Sequence, residues 1–226
     1  MASTPQTPIQ IHIPPSLQEY TTPLTEYLAT HPQYTNLVVS AFIFDPPSSI
    51  KSSDPDQQPR LLVLHRAAHE RSFANRWEVP GGSSDASDPT ILHSLAREVF
   101  EETDLMLTRF VRQIGDVVEF QTGKGERRKN WAKLNFEIEV AEVTFHGVQS
   151  KHMAGRESTK VEADGQSAGN KNAEESKAKG KSAAVTIDPQ EHQGYAWATA
   201  EDITVGKYLI ATPAQRELIL GAFRAQ

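Results

Sequence analysis

The stretch that decides the fold runs from Gly82 to Leu105, GSSDASDPTILHSLAREVFEETDL, and follows directly on the turn Trp77 to Gly82, WEVPGG. From Thr90 onward its apolar residues recur at helical spacing. Asp88 suits an N-cap and Pro89 the first helical position, so a helix is predicted over about 89–105. At about 100° per residue from Glu98, Glu102 falls near +40° and Glu101 near −60°. Ile91, Leu92, Leu95, Ala96, Val99 and Phe100 fill the arc from about +20° to +200°. The carboxylates therefore share one face at the margin of the apolar stripe. Like charges one turn apart destabilise a helix by about 0.2–0.5 kcal/mol per pair, so this cluster calls for counter-charge. Divalent cations with oxygen ligands supply it, and Arg97 is an intramolecular candidate. A solvated acidic face is the plain alternative. The Pro-Gly-Gly turn ahead of the helix favours a metal-and-phosphate site, because glycine lets backbone approach a ligand without a Cβ in the way.

These residues resemble the Nudix box, whose pattern is G-x5-E-x7-R-E-U-x-E-E-x-G-U with U aliphatic. Arg97-Glu98-Val99-Phe100-Glu101-Glu102 matches the R-E-U-x-E-E core in order and spacing, Gly82 stands for the opening glycine and Leu105 for the closing aliphatic. Glu191 to Ile203, EHQGYAWATAEDI, is similar to the family's late strand and turn. There are departures. Asp88 stands near the first acid of the pattern, either as that acid or as the helix N-cap, with eight residues before Arg97 where the pattern has seven. Asp104 replaces the glycine after the Glu pair, and Asp tolerates a left-handed helix end better than most residues.

The resemblance implies an α+β fold, a Nudix-type α/β/α sandwich with a mixed sheet, carried by a single domain over 16–226. It implies hydrolysis of the diphosphate linkage in a nucleoside diphosphate joined to another moiety, with Mg2+ or Mn2+ as cofactor. Glu98, Glu101 and Glu102 would be metal ligands, with Glu98 or Glu102 bridging two ions. Gly81 and Gly82 would give backbone ligation or room beside metal and substrate, and Arg97 would orient a ligand carboxylate. The general base would be a box Glu or a late-loop acid, for which Glu191 is placed. Arg66 is a candidate phosphate ligand, whereas Lys124, Arg127, Arg128 and Lys129 read first as a solvated basic cluster. Rival readings are a catalytically silent binding module of the same fold and a hydrolase of terpenyl or inositol diphosphates. The family's isomerase chemistry relies on a cysteine that this chain lacks.

Outward from the box, Asn36 to Asp45 (NLVVSAFIFD) and Arg60 to Arg66 (RLLVLHR) read as strands, with 46–59 as a surface loop. Phe110 to Phe120 and Trp131 to Phe145 read as two more, joined by a polar hairpin loop. Ser16 to Thr30 reads as a helix broken at Pro23. Tyr195 to Trp197 reads as a short strand, Ala200 to Thr204 as a helical turn and Ala214 to Phe223 as a closing helix. Residues 1–15 read as a flexible tail. The segment 147–184, rich in Lys, Glu, Ser, Ala and Gly, buries too little apolar surface to order itself and reads as a disordered insertion.

Hydrophobic residues make up 38% of the 226, which fits a packed core diluted by solvated segments. A net charge of -6 supplies no general field for nucleic acid. The absence of cysteine excludes disulfides and thiolate ligands, leaving oxygen and imidazole donors. With no secretory leader pattern and no apolar membrane span, the expected setting is cytoplasmic, with a small-molecule diphosphate substrate as partner and a homodimer as one candidate assembly.

Overall fold

A computed structural model describes residues 11–45, 58–142 and 184–226. Three of the expected segments lie mainly outside these residues: the tail over 1–10, the loop over 46–57, and the insertion over all but Ala184. The described residues belong to one compact unit, Met1–Val143 with Ser182–Gln226.

Pro23 breaks the first helical segment as its fixed geometry requires, leaving a 3-10 turn Pro15–Tyr20 and α1, Leu24–Thr30. Ahead of it, His12 is already held to the sheet, its N–H donating to Thr108 O at 3.0 Å. Two runs rich in β-branched and aromatic residues form β1, Asn36–Asp45, and β2, Arg60–Arg66. The short β3, Trp77–Glu78, and β4, Gly81–Ser83, flank the Pro-Gly turn. Then come α2, Ile91–Thr103, β5, Leu105–Gln113, β6, Val118–Thr122, and the long β7, Lys129–Glu142. The chain closes with β8, His192–Ala198, α3, Ala200–Thr204, and α4, Pro213–Phe223.

The sheet is mixed. β1 runs parallel to β7 from Asn36↔Trp131 to Ile43↔Ile138, while β5 and β6 lie antiparallel along the other edge of β7. β1 and β2 pair antiparallel only at Phe44↔Leu61 and Asp45↔Arg60. Beyond that point they separate. β4 takes the vacated edge of β1, and β2 continues with β3 and β8.

Three details differ from the sequence expectation. The stretch 110–120 is not one strand, because the chain leaves the β7 edge at Ile114 and passes through Gly115 at φ +65° before rejoining it as β6. The helix begins at Ile91, capped by Thr90, whose hydroxyl accepts from His93 N–H at 3.3 Å, so Asp88 is not its N-cap. Phe100 is 38% exposed rather than core, which narrows the buried stripe to Ile91, Leu92, Leu95 and Val99. At the other end Asp104 takes φ +55°, the left-handed conformation that glycine normally supplies there.

Alternation along β1 and β7 gives the sheet two buried faces. Leu37, Val39, Ala41, Leu134, Phe136 and Ile138 pack against α1 and α2. On the other face Phe42, Phe44, Ile203, Ile219 and Ala222 join the sheet to α3 and α4. The result is the α/β/α sandwich. Phe136 lies at the centre of the first core, with its ring 5.1 Å from Tyr20 and 6.0 Å from Phe110. Phe136→Ala should lower the unfolding free energy by about 3–5 kcal/mol, read from urea denaturation of the metal-free protein.

Candidate active site

The separation of β1 from β2 opens a gap in the sheet, and the acidic face of α2 points into it. Glycine makes the close approach feasible. Gly81 sits at φ +141°, where a Cβ would lie 2.7 Å from Ser40 Cα, so β4 can press against β1 only with glycine there. At Gly82 a Cβ would lie 2.6 Å from Glu98 Cδ. The missing side chain is thus the space that the Glu98 carboxylate fills.

The helical-wheel reading placed the three box carboxylates together, and they are together, but in unequal environments. Glu102 is 3% exposed and accepts a hydrogen bond from Gly81 N–H at 2.7 Å. Burial pushes its pKa well above the usual carboxylate range. The Gly81 N–H opposes that, and the nearby Glu78, Glu98 and Glu191 reinforce it. Glu98 is also raised by burial, with the Arg97 guanidinium acting against the rise. The Glu101 side chain is half exposed.

Arg97 ties the cluster together. Its Nε and one terminal nitrogen each donate to a different oxygen of Asp88 at 3.0 Å, and the other terminal nitrogen reaches Glu98 at 3.0 Å and Glu101 at 2.8 Å. The Asp88 carboxyl is held below its usual range, first by this Arg97 bond. Asp88 therefore anchors the arginine that orients two of the acids. This resolves the alternative left open by the sequence, because a fork-to-fork pair needs the side chain aimed at Arg97 rather than at the helix N-terminus.

Side chains from the other half of the sheet complete the site. Glu191, exposed in the turn before β8, comes within 4.8 Å of Glu102 and His192, measured between potential ligand atoms. His192 is 1% exposed, with Nε2 3.4 Å from Glu78 and 3.9 Å from Glu102. The pKa of Glu78 is governed first by burial, which raises it, but bonds from His192 and Arg66 outweigh that and hold it low. Arg66 forms a short ion pair with Glu78, a second with Glu70 at 2.6 Å and a bond to Ser72 O at 2.9 Å, so any phosphate there competes with two carboxylates. Glu78 and His192 were not singled out from sequence. A charged residue between Trp77 and Val79 was the available signal for Glu78. For His192 there was only its place beside Glu191. Lys124, Arg127 and Arg128 lie exposed at the β6–β7 turn.

A family model described as the NUDIX domain matches residues 49–163, just over half of the 226-residue chain. The chain belongs to the Nudix family and is a Nudix-type pyrophosphohydrolase. Among solved structures it is similar to a MutT protein from Methanosarcina mazei Go1, at 20% identity, 84% of this chain, 93% of that chain and TM-score 0.46. It is similar also to the NUDIX domain of Shewanella oneidensis NrtR, solved with ADP ribose, at 16% identity, 90% of this chain, 99% of that chain and TM-score 0.49. A C. elegans Ap4A hydrolase in a binary complex gives 13% identity, 84% of this chain, 98% of that chain and TM-score 0.45. No curated protein is similar enough in sequence to count as a match. Among the described residues no helix is long and apolar enough to cross a membrane.

Two outcomes follow from this geometry. Gly82→Ala should displace the Glu98 carboxylate and cut kcat about 10²-fold, while circular dichroism stays that of the wild type. Glu102→Gln should raise the melting temperature of the metal-free protein at about pH 8, because ionising a carboxyl whose folded pKa is raised costs stability above that pKa. That cost disappears as pH falls through the folded value toward the ordinary glutamate range, so the gap between variant and wild type should close toward about pH 5. Thermal melts in chelator across that interval check the sign.

Proposed function

We propose that this chain hydrolyses the diphosphate linkage of a nucleoside diphosphate joined to another moiety, with Mg2+ or Mn2+ held by Glu98, Glu101 and Glu102. The observation that carries the reading is the convergence of Glu98 and Glu102 with Glu78 and Glu191 at the gap in the sheet, with Glu101 joined to Glu98 through Arg97. The donor set suits a hard divalent cation, since it offers carboxylate oxygens, one neighbouring imidazole and no thiolate. Gly82, which has no Cβ to fill the place of the Glu98 carboxylate, fits the same role, with its carbonyl as a further donor. A bound divalent cation would neutralise charge on the diphosphate and favour attack by water on phosphorus.

The protein's own groups have separable tasks. Arg97, fixed by Asp88, holds Glu98 and Glu101 in orientation before substrate arrives. Gly81 N–H fixes Glu102 in place. Glu191 is the assigned proton acceptor for the attacking water, because it is exposed and lies beside Glu102. Arg66 and the Gly81-Gly82 turn border the path a phosphate would take, with Arg66 exchanging one carboxylate for a phosphate oxygen.

The test is a screen of dinucleoside polyphosphates, nucleotide sugars, nucleoside triphosphates, and terpenyl and inositol diphosphates with added Mg2+ or Mn2+. Turnover is expected on a nucleoside diphosphate compound, abolished by chelator and reduced to near background in Glu101→Gln and Glu102→Gln. Turnover confined to terpenyl or inositol compounds, or none on any, would overturn the reading. Glu191→Gln should lower kcat by about 10²–10⁴-fold with the metal requirement unchanged. Wild-type kcat in that variant would remove Glu191 from the role.

A further inference from the structure

The sheet face turned toward α4 carries a cleft of ≈ 380 Å³, within the range of small-molecule sites. Its floor follows from strand register. Val38 pairs with Lys133 across β1 and β7, and Val118 pairs with Lys133 across β6 and β7, so these side chains share one face. Phe120 lies two residues beyond Val118 on the same face and is 39% exposed, and Phe73 is 52% exposed at the rim. Leu218 of α4 adds to an otherwise apolar wall.

Set into that apolar lining are amides with nothing to bind. Asn135 is 1% exposed, and neither its Nδ2 nor its Oδ1 has a hydrogen-bond partner. Gln215, on α4, is 8% exposed with Nε2 unpartnered. A buried polar group left unpaired costs about 1–3 kcal/mol, so donors and an acceptor facing one cleft are accounted for by a ligand that completes them.

The cleft is continuous with the acid site. Glu78 lines it and also contacts Arg66 and His192. Lys133 lines it as well, its pKa lowered by burial with the charges of Glu78 and Glu102 acting against that. A diphosphate leading from the box carboxylates into the cleft passes this cation.

We propose that the cleft is the subsite for the nucleobase of the substrate. Asn135 and Gln215 read the base's hydrogen-bonding edge, Phe73 and Phe120 cover its faces, and Lys133 meets the phosphate next to the nucleoside. This rests on the nucleotide reading above and adds to it the residues that choose the substrate. The chemistry favours a flat heteroaromatic ring with donors and acceptors on one edge. A terpenyl chain would leave the amides permanently unpaired, and an inositol ring would set its hydroxyls against apolar walls.

The experiment is calorimetric titration of the metal-free protein with AMP, GMP, CMP and UMP, with ribose 5-phosphate as the phosphate without a base. At least one mononucleotide should bind ten-fold or more tighter than ribose 5-phosphate. Asn135→Leu and Gln215→Leu should each reduce that selectivity about ten-fold, the equivalent of one lost hydrogen bond. Asn135→Asp, which keeps the shape but removes the donor, should change the order of preference among the bases. Gln215→Leu carries the same test from α4 if Asn135→Leu does not fold. Absence of selectivity over ribose 5-phosphate, or selectivity unaltered in the folded variants, would overturn the subsite. With nucleotide turnover intact, that result leaves the proposed function standing. Conversely, failure of every nucleoside diphosphate compound in the turnover screen removes the nucleotide reading and, with it, the assignment of this cleft.

Discussion

A carboxylate taken out of water must be neutralised, protonated or given strong donors, and Glu102 is 3% exposed. The protein supplies one backbone N–H, from Gly81, and an imidazole at 3.9 Å, while surrounding it with Glu78, Glu98 and Glu191. Most of these neighbours worsen the problem. Burial and like charge raise the pKa of Glu102, and Glu98 is raised by burial as well. A fold built for stability alone would not gather these groups. A divalent cation bound as proposed would resolve the conflict, since it favours the ionised form of every carboxylate around it.

The gap that gives Glu102 its setting depends on backbone rather than side chains. β1 stays beside β2 only at Phe44↔Leu61 and Asp45↔Arg60, and over Val38 to Ser40 it turns that edge to β4, where Gly81 lies too close to the β1 backbone for a residue with a Cβ. α2 lies over β1 and β4, so its acidic margin reaches the gap while its apolar stripe stays in the first core. β8 brings Glu191 and His192 to the opposite side by pairing with β2. The site is thus assembled from the two halves of one sheet, and each half alone would present a harmless acidic patch.

Arg97 supports this arrangement from outside the gap. It spends one fork on Asp88 and the other on Glu98 and Glu101, so two acids are oriented by an arginine that is itself fixed. Lysine cannot replace it in this geometry, having no planar pair of donors for the Asp88 carboxylate. The same economy of partners is missing in the cleft beside α4, where the buried Asn135 amide and the Gln215 Nε2 have no partner.

The sequence by itself determined the helix, its acidic face, the left-handed end at Asp104 and most of the strands. Each is a local property of periodicity, propensity or a special backbone angle. The spacing of Arg97, Glu98, Glu101 and Glu102 was legible for the same reason, because i, i+1, i+4 and i+5 positions on one helix have fixed relations whatever surrounds them. Only the tertiary structure decided how deeply each acid is buried, and hence that Glu102 and Glu101 differ. It also decided that Asp88 serves Arg97 rather than the helix end, and that Glu78 and His192 join the cluster. Along β7 the sequence reads as a strand over Trp131 to Phe145, in which Lys133, Asn135 and Glu137 alternate with Ala132, Leu134 and Phe136 and so lie on one face. The structure buries that face under α4, which lies some 80 residues later in the chain. Burial is a relation between segments distant in sequence, and no local pattern encodes it.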